Sequence, residues 1–327
     1  MKHLIPGIAQ ALVLSSVTCL AHAQDAGSWP GKQAITLILP AGAGGSSDPV
    51  TRLLAEQMGK TLSQSIIVQN RPGAGGNIGM AQAAKAAPDG YTMVISWTGP
   101  LATNLALYKD MGYDPRKDFA PIGMIGCTPN VLAVSADLGL KSLADFEKYA
   151  KNKQDKASYG TTGAGSSWHI AGEMLNREID NSLVHIPYQT PGAALTDLLG
   201  GRLDAIFPVV PMTVPHVQAG KLAVLAVFSQ ERSNVLPDVP TTVEQGRADL
   251  ISDTCFALLA PAGTNAVITE RLNETLNAAL ADPDTRSKLE AMGLQMRPGK
   301  PADLAEYLDT EIPRQAQLVT ASGAQPQ

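Results

Sequence analysis

The chain has 327 residues with 44% hydrophobic but only 5% aromatic side chains, and a formal net charge of −5. That length holds more than one core's worth of residues, and the acidic balance without a basic run argues against nucleic acid or an anionic membrane as partner. Three cysteines are too few for a disulfide scaffold or a cysteine metal site, and an anionic ligand would have to be held by local dipoles rather than by the field of the whole protein.

Met1-Lys2-His3 is a short basic start, Leu4 to Leu20 is largely apolar, and Ala21-His22-Ala23 is a cleavage pattern. Residues 1–23 therefore read as a signal peptide. Pro6, Gln10 and two serines make it a poor membrane span, and no later segment is long and apolar enough to be one. Cys19 lacks the small preceding residues that lipoprotein processing needs. The mature chain is expected in the periplasm as a monomer. There Cys127 and Cys255 either pair or stay as two buried thiols in apolar strands.

Ala34 to Leu39 reads as a strand that ends in the loop Pro40-Ala-Gly-Ala-Gly-Gly-Ser-Ser-Asp48. Asp48 fits a helix cap with Pro49 behind it, and Val50, Leu54, Met58 and Leu62 then recur at helical spacing. Ser65 to Gln69 is a second strand, followed by the loop Asn70-Arg-Pro-Gly-Ala-Gly-Gly-Asn77 and a helix over 78–87. Tyr91 to Trp97 is a third strand. This alternation calls for parallel strands with crossover helices.

The second half repeats the logic: a strand at 130–134, a helix at 143–151, and a short strand at 157–159 that enters Thr161-Thr-Gly-Ala-Gly-Ser-Ser-Trp-His169. Ser166 or Ser167 caps the next helix. Strands at 183–188 and 204–208 flank a helix at 193–199, and 222–228 is a strand with room to cross back to the first half. A strand at 255–259 and three helices over 266–281, 283–292 and 301–322 complete an α/β chain of two lobes around a ligand cleft. Lobe one takes residues 24–125 plus 230–327 and lobe two 126–229.

A strand that ends in glycines and opens into a helix aims free backbone N–H groups and the positive helix end at one point, a ready-made anion site. Each such loop also has the plainer reading of a tight turn. Enzyme readings fail on specific residues. The third glycine of a dinucleotide fingerprint is Ser47, no Gly-Lys-Ser/Thr follows the glycines, and Ser166-Ser167 sit in no nucleophile elbow. His169, His185 and His216 have no metal-like spacing, so no catalytic residue, cofactor or metal is expected. Arg52 and Arg71 are the basic residues nearest the loops, and each has a structural partner as its commoner fate.

Val68-Gln-Asn-Arg-Pro-Gly-Ala-Gly-Gly-Asn-Ile-Gly79 with Ala86-Ala-Pro-Asp-Gly-Tyr91 resembles the solute-binding proteins of tripartite tricarboxylate transporters, the Bug receptors. The resemblance runs on through Tyr113-Asp-Pro-Arg-Lys-Asp-Phe-Ala-Pro121, Gly165-Ser-Ser-Trp-His-Ile-Ala-Gly-Glu173, His185-Ile-Pro-Tyr188 and Asp197-Leu-Leu-Gly-Gly-Arg-Leu-Asp204. Leu236-Pro-Asp-Val-Pro-Thr241 and Leu259-Ala-Pro-Ala-Gly-Thr264 extend it over nearly the whole mature chain.

The resemblance implies a two-lobed receptor of the type II-like periplasmic-binding-protein fold. It would close on a small organic acid, a di- or tricarboxylate or an aromatic carboxylate, and deliver it to the membrane components of a tripartite transporter. Carried over residue by residue, the carboxylate grip would comprise Ala43, Gly44, Gly45, Ser46, Ser47 and Asp48 of the first loop. The second lobe would add Thr161, Thr162, Gly165, Ser166, Ser167, Trp168 and His169. Thr98, Asn104, Phe207 and Val209 would supply the walls.

Three departures stand out. The first loop has Ala-Gly-Ala-Gly-Gly where Pro-Gly-Gly is usual. Trp168 replaces a small or polar residue, either in the pocket or on the outside of its helix. Phe207-Pro208-Val209 replaces more polar residues and favours a ligand with a ring or carbon chain. The alternative functions are a secreted hydrolase, with His169 beside the serines, and a stand-alone sensor using the same cleft.

Overall fold

In the computed structural model the described residues are 29–43, 47–163 and 165–322. The expected signal peptide, Cys19, and Gly44, Gly45 and Ser46 lie outside them.

The elements run β1 (Ile35–Leu39), α1 (Ser47–Leu62), β2 (Ile66–Asn70), α2 (Asn77–Ala84), β3 (Thr92–Trp97), α3 (Asn104–Leu107) and β4 (Phe119–Pro129). Next come β5 (Val131–Ser135), α4 (Leu143–Asn152), β6 (Ala157–Thr161), α5 (Ser167–Glu178), β7 (Leu183–Pro187), α6 (Pro191–Leu199), β8 (Ala205–Ile206), α7 (Val210–Gln218) and β9 (Leu222–Val227). The chain closes with β10 (Asp253–Pro261), α8 (Ala266–Ala281), α9 (Pro283–Ala291), β11 (Gln295–Met296) and α10 (Pro301–Ser322).

They form two mixed sheets, the architecture of a two-lobed fold. The first has the order β11-β4-β10-β3-β1-β2, with β1 parallel to β2 and β3 and with β10 antiparallel to both β3 and β4. The second has the order β7-β6-β8-β5-β9, with β6 parallel to β7 and β8 and with β5 antiparallel to β8 and β9. Hydrophobic clusters cover both faces of the first sheet, and a separate cluster built on Val131–Val134, Phe146, Tyr159 and Phe207 fills the second. In α1 the i, i+4 series Val50, Leu54, Met58 and Leu62 is buried, so the helix lays one stripe on its sheet.

Sequence expectation and structure differ at several places, among them α7, a helix where none was expected. The 222–228 segment does not cross back: β9 pairs with β5 inside the second sheet, where its apolar run is covered. The sequence reading places no strand over 119–129 apart from an apolar one at Cys127, whereas the structure has β4 there, the longest strand among the described residues, in spite of Pro121, Gly123, Gly126 and Pro129. Gly126 is required there, because a Cβ would stand 2.5 Å from the Gln295 carbonyl of β11. Asp48 lies within α1 rather than capping it; its carboxylate accepts from Arg52 Nε and Asn70 Nδ2.

β4 leads out of the first sheet at Pro129 and β10 returns to it at Asp253. Cys127 and Cys255 face each other across this strand pair and form a disulfide. Beside it Asn130, fully buried, knots the crossing. Its amide nitrogen donates to the Phe207 carbonyl at 2.7 Å, and its side-chain oxygen accepts from Ser252 Oγ at 3.2 Å. A small fourth cluster of Leu107, Ile170 and Val319 joins α3, α5 and the end of α10, so the C-terminal helix touches both halves. Among the described residues no helix is long and apolar enough to cross a membrane.

Candidate ligand-binding cleft

Between the two sheets lies a cavity of about 370 Å³. Gly75, Trp97 to Gly99, Thr103, Asn104, Leu107 and Tyr108 line it from the first sheet's side. Thr162, Gly163, Gly165, Ser166 and Ser167 face them from the second. Ser252, Asp253 and Thr254 close the crossing and Gln315 reaches in from α10. The volume sits at the small end of the roughly 300–1,000 Å³ usual for ligand clefts.

The second-lobe wall is the start of α5. Ser166 caps that helix: its Oγ accepts from the His169 N–H at 3.3 Å and donates to the Gly163 carbonyl at 2.8 Å. Both roles of that hydroxyl are thereby used. Ser167 Oγ only accepts, from Asn130 Nδ2 at 3.4 Å, so its proton has no acceptor among the described residues. Gly165 has a φ of +77° and its N–H donates to His169 Nδ1 at 3.1 Å. His169 is thus a buried brace for the loop, and burial with the neighbouring His185 ring at 4.3 Å pulls its pKa down to about 4. It does not face either serine side chain as a base.

The opposite wall is set by glycines. A Cβ on Gly76 would stand 3.3 Å from Trp97 Cη2, and one on Gly99 would stand 2.9 Å from Trp97 Nε1, so both glycines make room for the indole. A Cβ on Gly75 would meet the Tyr108 hydroxyl at 3.0 Å, which places that phenol at the loop. Asn104 Nδ2 donates to Asn77 Oδ1 at 2.7 Å and to the Gly75 carbonyl at 3.2 Å. Thr103 donates to Gln315 Oε1 at 2.9 Å, and Gln315 donates on to Glu311 Oε1 at 2.7 Å. Thr98 Oγ1 accepts from the Cys255 N–H at 2.9 Å and shares a bond with the Tyr307 hydroxyl at 3.1 Å. These side chains are held before any ligand arrives.

Of the residues expected at the site, Thr98, Asn104, Thr162, Gly165, Ser166 and Ser167 line this cavity. Ala43, Ser47 and Asp48 are not among the described residues that do. Thr161 is fully buried, sharing a 2.6 Å bond with His185 Nε2. Trp168 packs in the second-sheet core. Phe207 is also in that core, edge-on to Tyr159 and Phe228, and Val209 forms a bridge with Asn130. The apolar surface expected from 207–209 is instead offered by Trp97, Leu107 and Tyr108. No motif marks these three, nor Ser252–Thr254 and Gln315. They arrive at the cleft through β10 and α10, far along the chain.

Among the described residues the lining contains no Lys, Arg or His and one acid, Asp253. Arg52 is paired with Asp48, and Arg71 lies on the surface against Gln69. Cys127, Cys255 and Asp253 bring potential ligand atoms within 4.8 Å of one another, but both sulfurs are spent in the disulfide.

Two lobes of α/β structure around a small cleft are the architecture of periplasmic solute-binding proteins. Residues 50–324 match the model of the tripartite tricarboxylate transporter family receptor. The chain belongs to that family of periplasmic solute-binding proteins. It is 34% identical over 306 residues to Protein BugT of Bordetella pertussis, covering 93% of this chain and 94% of that protein. Among solved structures, Rpa4515 of R. palustris with adipate is 33% identical with a TM-score of 0.83, over 91% of this chain and 100% of that one. MatC from Rhodopseudomonas palustris with bound malate is 32% identical with a TM-score of 0.77, over 88% and 99%.

Proposed function

We propose that this protein is a periplasmic receptor that captures a small organic carboxylate between its lobes and hands it to the membrane components of a tripartite transporter. The observation that carries this reading is a cleft with free backbone and hydroxyl donors at the start of α5 and, among the described residues, no basic side chain in its lining. The carboxylate would take the N-terminal N–H groups of α5 and the Ser167 hydroxyl, where the helix dipole favours negative charge. Structural neighbours with adipate and with malate support the chemical class. Cleavage after Ala23 would release the mature receptor, with the chain before the Pro129 crossing and after Asp253 moving as one lobe and the segment between them, whose Leu236 and Leu250 pack in the second core, as the other.

A thermal-shift screen against di- and tricarboxylates, aromatic acids and amino acids tests the reading, with calorimetry on each hit. At 100 times its dissociation constant a ligand adds about 2.7 kcal/mol of stability. Small-angle scattering with a hit should give a more compact particle than without. A screen with no stabilising acid, or a hit that is turned over into product, overturns the proposal. Binding with no transporter dependence of uptake in cells would favour the stand-alone sensor.

A further inference from the structure

One face of the C-terminal helix serves three parts of the molecule in turn. In α10, Leu304, Leu308 and Ile312 recur at helical spacing and pack in a cluster on the first sheet. Gln315, the next buried residue on the helix, lines the cleft. Val319, one turn further, is buried with Leu107 of α3 and Ile170 of α5, and Leu318, Tyr108 and Met174 pack beside them. Leu107 and Tyr108 also line the cavity, so this contact joins the two lobes next to it. Pro313 stands between the first-sheet stripe and Gln315, and its ring removes the N–H that would bond the Asp309 carbonyl. A helix bends most readily at such a missing rung. Beyond it, Arg314 donates to the Ile251 carbonyl just before β10, at 2.6 Å. The Gln315 amide is held on both sides: its oxygen accepts from Thr103 Oγ1 at 2.9 Å and its nitrogen donates to Glu311 Oε1 at 2.7 Å. Its second amide proton has no acceptor among the described residues.

A receptor that closes on its solute gains contacts between the lobes that an open form lacks. Apolar area buried only on closure favours the closed population, and a solute that binds this population has its apparent affinity raised by the same factor. The Leu107–Ile170–Val319 cluster is a contact of that kind, and it lies one helical turn from a cleft residue on the same helix face. We infer that the part of α10 beyond Pro313 is the clasp of the cleft, with Val319 holding the second lobe against the first and Gln315 offering its spare amide proton to the solute. Gripping the solute and gripping α5 are then done by residues four apart, which couples binding to closure. This inference rests on the receptor reading and adds to the glycine loops a third binding element that comes from the far end of the chain.

Calorimetry and stopped-flow tryptophan fluorescence test this with adipate, malate and the strongest acid of the screen as probes, Trp97 in the cleft wall serving as reporter. Val319→Ala, checked for folding by its melting curve, should release the acid at least about fivefold faster, with association within about twofold of wild type. Small-angle scattering with the acid at saturation should show this variant less compact than wild type. Leu318→Ala, half-buried in the same cluster, should shift the same way by a smaller factor. Gln315→Met, which keeps the side chain's length without its amide, should bind at least about fivefold more weakly. Ile312→Val, on the same face but before Pro313, should lower the melting temperature and keep affinity within about twofold. Wild-type release from folded Val319→Ala and Leu318→Ala, or wild-type affinity in Gln315→Met, overturns the clasp. An equal loss in Ile312→Val overturns it too, because the effect would then be one of general helix packing. Each of these results leaves the receptor reading standing. Failure of adipate, malate and every other acid of the screen to bind the wild type overturns the receptor reading and this inference with it.

Discussion

Gly165→Ala tests whether the second glycine loop and the first lobe are fitted to each other. Gly165 holds φ at +77°, a conformation that costs an L side chain about 1–2 kcal/mol. A Cβ there would also sit 1.9 Å from Leu107 Cδ1 and 3.1 Å from Leu107 Cγ. Leu107 is 4% exposed and packs with Ile170 and Val319, so it has little room to swing away. Forcing an extra methyl into such a contact costs about 1–3 kcal/mol. The backbone term acts on the loop alone, whereas the collision acts between α3 and the start of α5, across the cleft. Urea unfolding should therefore show a loss of about 2–5 kcal/mol for the two effects together. Calorimetry with the strongest acid of the screen should show binding weakened at least about tenfold, near 1.4 kcal/mol. Leu107→Ala on the Gly165→Ala background removes the collision but not the backbone strain. Affinity should then return to that of Leu107→Ala alone, with a coupling of at least about 1 kcal/mol in the cycle. Unchanged affinity in Gly165→Ala, or strict additivity in the cycle, refutes the reasoning.

Ser166→Ala should lower stability by about 1 kcal/mol through the lost cap with little effect on affinity, and Ser167→Ala should weaken acid binding by roughly 1.5–3 kcal/mol with little effect on stability. Denaturation and calorimetry on both variants check this, and the reverse pattern would exchange their roles. His169 stays neutral in the fold with its pKa near 4, below its unfolded value of about 6.5, so unfolding takes up protons between these limits. Its contribution is complete above about pH 6.5 and is lost as pH falls toward 4, by about 3 kcal/mol at most. The measure is the pH dependence of stability of wild type minus that of His169→Gln, because Asp253 and Glu311, both raised by burial, slope the other way; parallel curves count against it. Replacing Cys127 and Cys255 together by Ala should cost about 2–4 kcal/mol, since the bridge closes a loop between residues 128 apart. A double variant as stable as wild type would remove the disulfide from the account of the crossing.

Local pattern was enough for the elements whose signals are local. The apolar stripe of α1, the strand–glycine–helix order of β1, β2 and β6, and the three C-terminal helices follow from periodicity and caps within a few residues. The same holds for the Ser166 cap and for the family, whose motifs are contiguous. What depends on partners far along the chain was not legible. β4 is a strand because β10 and β11 pair with it, in spite of its prolines and glycines. The Cys127–Cys255 choice between pairing and free thiols is settled by the register of two strands that meet only in the folded sheet. Trp168 and Phe207 read as candidate pocket residues, and tertiary packing turned both into the second core. Conversely, Trp97, Tyr108, Asp253 and Gln315 carry no motif, yet the chain crossing and α10 bring them to one cavity. Sequence determined the elements and the hydrogen-bonding loops, because those energies are short-ranged. Only the tertiary structure decided which side chains face the cleft, because that depends on how two lobes joined by crossing strands are set against each other.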